Sequence, residues 1–356
     1  MKKLDIHIGR EVFASISLVL LILVGLFTFF SFVDEIDDIG KQDYSIWLAV
    51  EYVLLEVPRH IYDLFPTSAL LGSLLGLGIL ANNNELTVMR AAGLSTLRIS
   101  TSAVRVGFAL TMIVVFIGEY ISTQSEQYAE SLRSLAQTGG HYISFNQDYG
   151  FWARDGHNFI NIKAILPENG FGEVNLYQFD AQFRLLTHLY AKKAYYQHGE
   201  WSLKEVQKDY ITDKKVSREF LPEMAWHANV NPDLIKIVVL KPDKLSSVEL
   251  YKYIRYLKDN EQRTIDYELA FWNRLAYPLI CITMIFLAMP VVFGSLRTVP
   301  IGQRVLVGAF IGIIFYMVSQ IMLRMGLVYE ISPPLVVITP PVLFLTIAIT
   351  LMKQKV

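Results

Sequence analysis

The chain has 356 residues, 53% hydrophobic and 18% charged, with a net charge of −1. That is too apolar for an ordinary soluble domain and matches a membrane protein carrying a water-exposed part. So small a net charge offers no large field for nucleic acid, and a single cysteine, Cys281, excludes an intrachain disulfide.

A bilayer-crossing helix needs about 20 mostly apolar residues, and the runs 12–33, 58–81, 99–121, 271–293, 305–325 and 334–352 meet or approach that. The first is too long for the core of a cleaved signal. It runs into Asp34-Glu35-Ile36-Asp37-Asp38 without a small-residue cleavage site, so it reads as a retained span. The second opens among Arg59, His60 and Asp63 and contains Pro66. Its Gly72 and Gly76 stand four apart, a spacing that lets another helix of the chain approach closely.

Between the second and third runs lies a polar island, 82–100. Glu85, Leu86, Met89, Arg90 and Gly93 recur at three- and four-residue steps, which predicts a short helix with Asn84 as N-cap and Gly93 as its stop. A plain connecting loop and a surface for a soluble partner both fit that pattern.

A large insert, 122–270, follows the third run. Residues 124–137 read as a helical extension of that run. Strands are expected at 149–153 and 158–163 around an Asp155-Gly156 turn, and at 173–179 and 185–196. Others are expected at 201–211, after His198-Gly199-Glu200, and at 235–240. Short, evenly spaced strands suggest a sandwich, jellyroll or open barrel. Residues 245–257 read as a helix capped by Ser246 or Ser247.

Basic residues set the expected orientation. Lys2, Lys3 and Arg10, then Arg90 and Arg98, then Arg297 and Arg304, then Lys353 and Lys355 mark four segments as cytoplasmic, both termini included. The insert then lies outside. The first outer loop is acidic, with Asp34, Glu35, Asp37, Asp38 and Asp43 against Lys41.

No G-x-x-x-x-G-K-[ST], H-E-x-x-H or G-x-S-x-G occurs, so the chain carries no Walker A loop and neither of those two hydrolase signatures. His157, His188, His198 and His227 lack metal-ligand spacing. Arg59, Asp63, Glu119, Arg133, Arg274 and Arg324 lie near span ends. Snorkelling to the interface is the plain reading of such groups. The functional one is a cationic cavity for a lipid phosphate, since a guanidinium pairs bidentately with phosphate, with Arg59 and Arg133 able to converge. In the β domain, Phe151, Ile160, Ile162 and Leu176 either line a place for acyl chains or form the sheet's core.

Four segments together carry a resemblance: HIGREVFASI at 7–16, FVDEID at 32–37, VPRHIYDLFPTSALLGSLLGLGILANNNELTVMRAAG at 57–93, and GSLRTVPIGQRV at 294–305. The chain resembles the LptF/LptG permeases of the bacterial lipopolysaccharide exporter, their LptG branch more closely, over essentially its whole length. The resemblance implies a membrane α-helical fold of six transmembrane helices with an inserted periplasmic β-jellyroll domain. Spans one to three fall in 1–134 with a coupling helix at about 82–94, the jellyroll in 135–265, and spans four to six in 266–356.

It further implies a multi-pass inner-membrane permease subunit that extracts lipopolysaccharide or lipooligosaccharide. Such a subunit pairs with LptF and docks one copy of an LptB dimer, which binds the ATP and Mg. It works beside LptC and passes lipid along a bridge leading to LptA. No cofactor or metal is expected in this chain. By position, Glu85, Leu86, Met89 and Arg90 would couple to the ATPase, and Arg59 and Arg133 would contact lipid phosphates. Spans one and five would wall a lateral gate, with Phe32 and Phe65 near it. One departure stands out. Relatives carry lysines at the end of span one, where this chain has Ser31, Asp37 and Asp38, which weighs against phosphate binding by that segment. Three other readings stay open: an LptF-type subunit, a force-transmitting scaffold that moves no substrate, and a lipid-acting membrane enzyme, which would need a nucleophile or metal constellation.

Overall fold

A computed structural model describes residues 2–137, 143–144, 150–155, 158–166, 170–180, 182–197, 200–212, 215–226, 241–293 and 300–354. The described helices are α1 (Lys2–Glu35), α2 (Ile46–Asn82), α3 (Glu85–Ala91), α4 (Thr96–Phe116), α5 (Thr123–Gln137), α6 (Ser247–Asp259), α7 (Ile265–Phe293), α8 (Ile301–Tyr329) and α9 (Pro333–Gln354). A π-helical stretch, Ile117–Ser122, carries α4 into α5, the extension expected of the third span. Among the described residues, six helical stretches are long and apolar enough to cross a membrane. The chain divides into two compact units, one of Met1–Asp34, Val53–Glu126 and Ile265–Val356, the other of Glu35–Tyr52 and Gln127–Thr264.

The first unit is helical. Gly72 and Gly76 of α2 seat the backbone of α1: a Cβ added at Gly76 would stand 3.0 Å from the Glu11 carbonyl oxygen and 3.1 Å from the Val12 Cα. Small residues at four-residue spacing thus bring two backbones together, as expected within the chain. Helix α2 starts at Ile46, well before the apolar run expected at 58–81. Its first turns, apolar but for Glu51 and Glu56, and Pro58 are absorbed into one helix.

Pro66 lies inside α2 and has no N–H to offer the Tyr62 carbonyl one turn back. The Tyr277 hydroxyl, from α7, donates to that carbonyl at 2.5 Å, and the two tyrosine rings stack at 4.1 Å. Neighbouring helices re-satisfy backbone freed by proline in this way. The core joins Val12 and Ile16 of α1, Leu70, Leu74 and Leu77 of α2, Ile99 and Ala103 of α4 and Cys281, Ile285 and Ala288 of α7. A satellite cluster links α7 and α9 through Leu269, Ala276, Val336 and Val337. Among the described residues, α1 and α8 leave most of their apolar surface uncovered, whereas α2 and α7 are largely enclosed.

The second unit holds an antiparallel sheet. Its strands are β1 (Ile143–Ser144), β2 (Phe151–Asp155), β3 (Asn158–Leu166), β4 (Gly170–Phe179), β5 (Leu185–Gln197), β6 (Glu200–Thr212) and β7 (Lys215–Trp226). From β3 to β7 each strand pairs with the next, while β1 and β2 both pair with β3. Asp155 faces Asn158, as a two-residue turn requires. Gly156, the turn at 198–199 and the strand expected at 235–240 lie outside the described residues. Strand β7 was not anticipated. Its sequence, KVSREFLPEMAW, mixes charge and proline, and it pairs with β6 while placing Leu221, Met224 and Trp226 against the sheet's core.

One feature bends every strand pair from β3 to β7. Pairing lapses along a single line of residues: Lys163, Glu173, Lys192, Glu205 and Pro222. Glu173 and Glu205 hold positive φ, uncommon for non-glycine residues. The inward face therefore shifts phase across the line, from Val174 to Phe171, from Ala191 to Ala194 and from Val206 to Leu203, all within one core. Lys163–Glu173 at 3.4 Å and Lys192–Glu205 at 2.9 Å run along the break. The chain then enters α6 through a capping box, with Ser246 accepting from the Glu249 amide and Glu249 accepting from the Ser246 amide.

Candidate functional site

The polar island folds as expected into a short helix, α3, set between the ends of two candidate spans. Asn84 occupies the predicted N-cap position, but at φ 60° and without a side-chain capping bond. Its left-handed backbone reverses the chain after α2, a role asparagine tolerates. Gly93 ends α3 at φ +89°. Its amide donates to the Arg90 carbonyl and that of Leu94 to Met89, the paired bonds of a Schellman stop. Ser95 then caps α4 by accepting from the Arg98 amide.

Leu86 and Met89 were expected to meet a partner beside Glu85 and Arg90. They instead turn inward and are buried in the span core, because an apolar pair three residues apart lies on one helix face and that face is the one the core covers. The outward face carries Glu85, Val88 and Arg90.

Glu85 is one-third exposed and is held by two donors. His7 Nε2 lies 2.7 Å from Oε2, and Asn83 Nδ2 donates to Oε1 at 3.3 Å. The His7 hydrogen bond, followed by that of Asn83, keeps the carboxyl below its ordinary range against the opposing pull of partial burial. Two residues earlier, Asp5 accepts from Arg98 at 2.9 Å and from Ser102 at 2.7 Å. The first turns of α1 are therefore tied to both α3 and α4. Arg304, fully buried at the start of α8, donates to the Gly78 carbonyl at 3.2 Å and to Asn82 Oδ1 at 3.4 Å, beside the end of α2. The sequence reading singled out neither His7 nor Asp5 and counted Arg304 only as an orientation charge. No local pattern marks them, since their partners lie far along the chain.

The two arginines proposed for phosphate belong to different units. Arg59 pairs with Asp63 at 2.7 Å and approaches Glu126 at 3.9 Å. Arg133 pairs with Asp38 and, at 3.2 Å, with Glu35, and its guanidinium lies over the Tyr52 ring. Glu35 is buried and also accepts from Tyr44 at 2.7 Å. The acidic loop is thus not the bare cluster its sequence suggests, because Arg133 and Lys41 neutralise two of its acids. Deeper in the helical unit, Arg274 is buried, pairs with Glu119 at 3.0 Å and lies over the Tyr62 ring.

Phe32 is half-buried and Phe65 fully enclosed. Ile160, Ile162 and Leu176 are buried in the sheet's core with Phe171, Leu189 and Trp201. The Phe151 side chain lies outside the described residues. On the sheet's opposite face, Asp209 receives two hydrogen bonds from Arg218, at 2.7 and 3.1 Å, and faces His188 at 3.7 Å. The hydrogen bonding from Arg218 holds the Asp209 carboxyl below its ordinary range.

The family profile described as lipopolysaccharide export system permease LptF/LptG matches residues 6–354. The chain is 35% identical over 355 residues to the lipopolysaccharide export system permease protein LptG of Escherichia coli strain K12, covering 99% of this chain and 98% of that protein. It is 34% identical over 355 residues to the protein of the same name from Haemophilus influenzae, with the same coverage.

Proposed function

The chain belongs to the LptF/LptG family of lipopolysaccharide export permeases, and from that premise we propose that it is the LptG-type subunit of an exporter driven by a separate ATPase. Its apolar helices and its family make it a multi-pass inner-membrane protein. In the proposed reaction it takes lipopolysaccharide or lipooligosaccharide from the inner membrane and passes it to a periplasmic bridge. The termini and α3 face the cytoplasm and the β domain the periplasm, in line with the basic residues of the inner segments. Its partners are LptF, an LptB dimer that holds ATP and Mg, LptC and, through the bridge, LptA. Residues 1–134 and 266–356 form the membrane part and 135–265 the periplasmic domain.

The observation that carries this reading is the geometry of α3. Leu86 and Met89 lock the helix into the span core while Glu85 and Arg90 stay outward. A push on the outer face is then transmitted to α2 and α4, because a packed core moves as a body rather than deforming. The lack of a Walker A loop in the sequence agrees with a motor on another chain. The uncovered faces of α1 and α8 suit a paired permease and a gate between the two.

Of the two arginines, Arg59 is the better phosphate ligand, since its close partner Asp63, at 2.7 Å, is about half exposed and the buried Glu126 stands off at 3.9 Å, whereas Arg133 is closely held by Glu35 at 7% and Asp38 at 17%. Displacing a solvated acid costs less than stripping a buried one.

The test is ATP-driven lipid release from proteoliposomes holding the whole exporter. Glu85→Lys reverses the charge at the contact and is expected to abolish release while the complex still inserts. Unchanged release and unchanged retention of the ATPase would overturn the assignment of α3.

A further inference from the structure

We propose that His7 is a positioning residue for Glu85, holding the carboxylate in the orientation that meets a cationic side chain of the ATPase. This rests on the reading of α3 as the docking helix. His7 stands 78 residues from Glu85 in sequence, on α1 rather than α3, yet its ring nitrogen lies 2.7 Å from the carboxylate.

A surface glutamate on the first turn of a helix normally samples several rotamers. Here each oxygen has its own donor, His7 on one and Asn83 on the other. An ionised carboxylate offers about four acceptor sites, so two donors leave room for a guanidinium or ammonium group. The carboxylate remains one-third exposed and open to it.

The platform that carries His7 is itself fixed. Asp5, two residues before it, is bound by Arg98 and Ser102 of α4, and Gly9, two residues after it, lets α1 lie against Val106, where an added Cβ would stand 2.9 Å from the valine methyl. The first turns of α1 thus form a bracket that is anchored on α4 and grips α3 at one point. A neutral imidazole carrying its proton on Nε2 suffices as the donor, so the role needs a hydrogen-bond donor at that reach rather than a positive charge.

The experiment titrates the purified ATPase subunit onto the full-length permease assembled with its partner permease in nanodiscs. His7→Ala is expected to weaken binding about threefold to fivefold, the range of an exposed polar pair. His7→Gln, whose amide nitrogen donates at similar reach, is expected to restore it. In a Glu85→Gln background, His7→Ala is expected to add nothing, because a residue that acts only through Glu85 has nothing left to act on. An equal loss in both backgrounds, or failure of His7→Gln to restore binding, would overturn the positioning role. If Glu85→Gln weakens binding and His7→Ala does not, the inference falls and the docking helix stands. If Glu85→Gln itself leaves binding unchanged, the docking reading falls.

Discussion

Two clusters of charge in this chain are built to opposite ends. Around α3, Glu85 meets two hydrogen-bonding partners, His7 and Asn83, and keeps a third of its surface in solvent. Around Arg133, a cation is closed in by Glu35, Asp38 and the Tyr52 ring, and Glu35 is itself completed by Tyr44. The first arrangement leaves its carboxylate incompletely satisfied and so open to another molecule. The second pairs its guanidinium with acids of the same chain, although its Nε finds no hydrogen-bond partner among the described residues. Neither number of charges nor exposure separates the two, since Glu85 is 33% and Arg133 29% exposed; the burial and the sign of the neighbours do.

Arg133→Ala makes the sharpest cut through that contrast. It strands a buried carboxylate, Glu35, and should destabilise the protein by about 3 kcal/mol, the usual cost of breaking a buried pair from one side. Thermal unfolding in detergent reads this directly, and a Tm equal to that of the unaltered chain would place Arg133 with the open kind of site.

The Asp209–Arg218 pair of the sheet is a milder case of internal pairing. Its carboxyl is held below the ordinary value of 3.8, so the pair's contribution is complete above about pH 4 and fades as pH falls through the lowered value. Acid unfolding of Arg218→Ala, compared with the unaltered chain, should show the stability gap close on moving below pH 4. A gap independent of pH would mean the pair contributes by packing alone.

Glu85→Lys should do least to stability. The residue is exposed and its donors are solvated, so the change belongs with surface substitutions, within about 0.5 kcal/mol. A stability loss as large as that of Arg133→Ala would erase the distinction between the two clusters.

Much of this was legible in the chain itself. The six apolar runs became six candidate spans, the polar island became a helix stopped at Gly93, and Ser246, one of the two serines expected as a cap, caps the helix that follows the sheet. Less legible was the start of the second span, whose helix begins at Ile46, ahead of the expected run, through a stretch that is apolar but for Glu51 and Glu56. Strand β7 was missed because its core-facing residues, Leu221, Met224 and Trp226, change phase beside Pro222 while Val216 and Phe220 are exposed, so no single alternation can be read. At the candidate site, Glu85, Leu86, Met89 and Arg90 were named together with the contacting face left open; the fold turns Leu86 and Met89 into the core and leaves Glu85 and Arg90 outward. Three- and four-residue spacing shows which residues share a face but not which way that face turns.

The sequence by itself determined local features, namely span length, helix stops and turn residues, and separately a family signature spread over the whole chain. The bilayer's thickness and the backbone's few allowed conformations set the local features, so a window of about 20 residues suffices to read them. What only the tertiary structure decided is who meets whom. Arg133 and the acidic loop were read separately in the sequence, and the fold put one against the other. His7 was one histidine among seven until α1 lay beside α3. The phase shift across the sheet appears only when five strands are laid side by side. Such contacts depend on chain segments far apart in sequence, whose meeting is set by packing of the whole core, and no periodicity within one segment encodes the partner it will find.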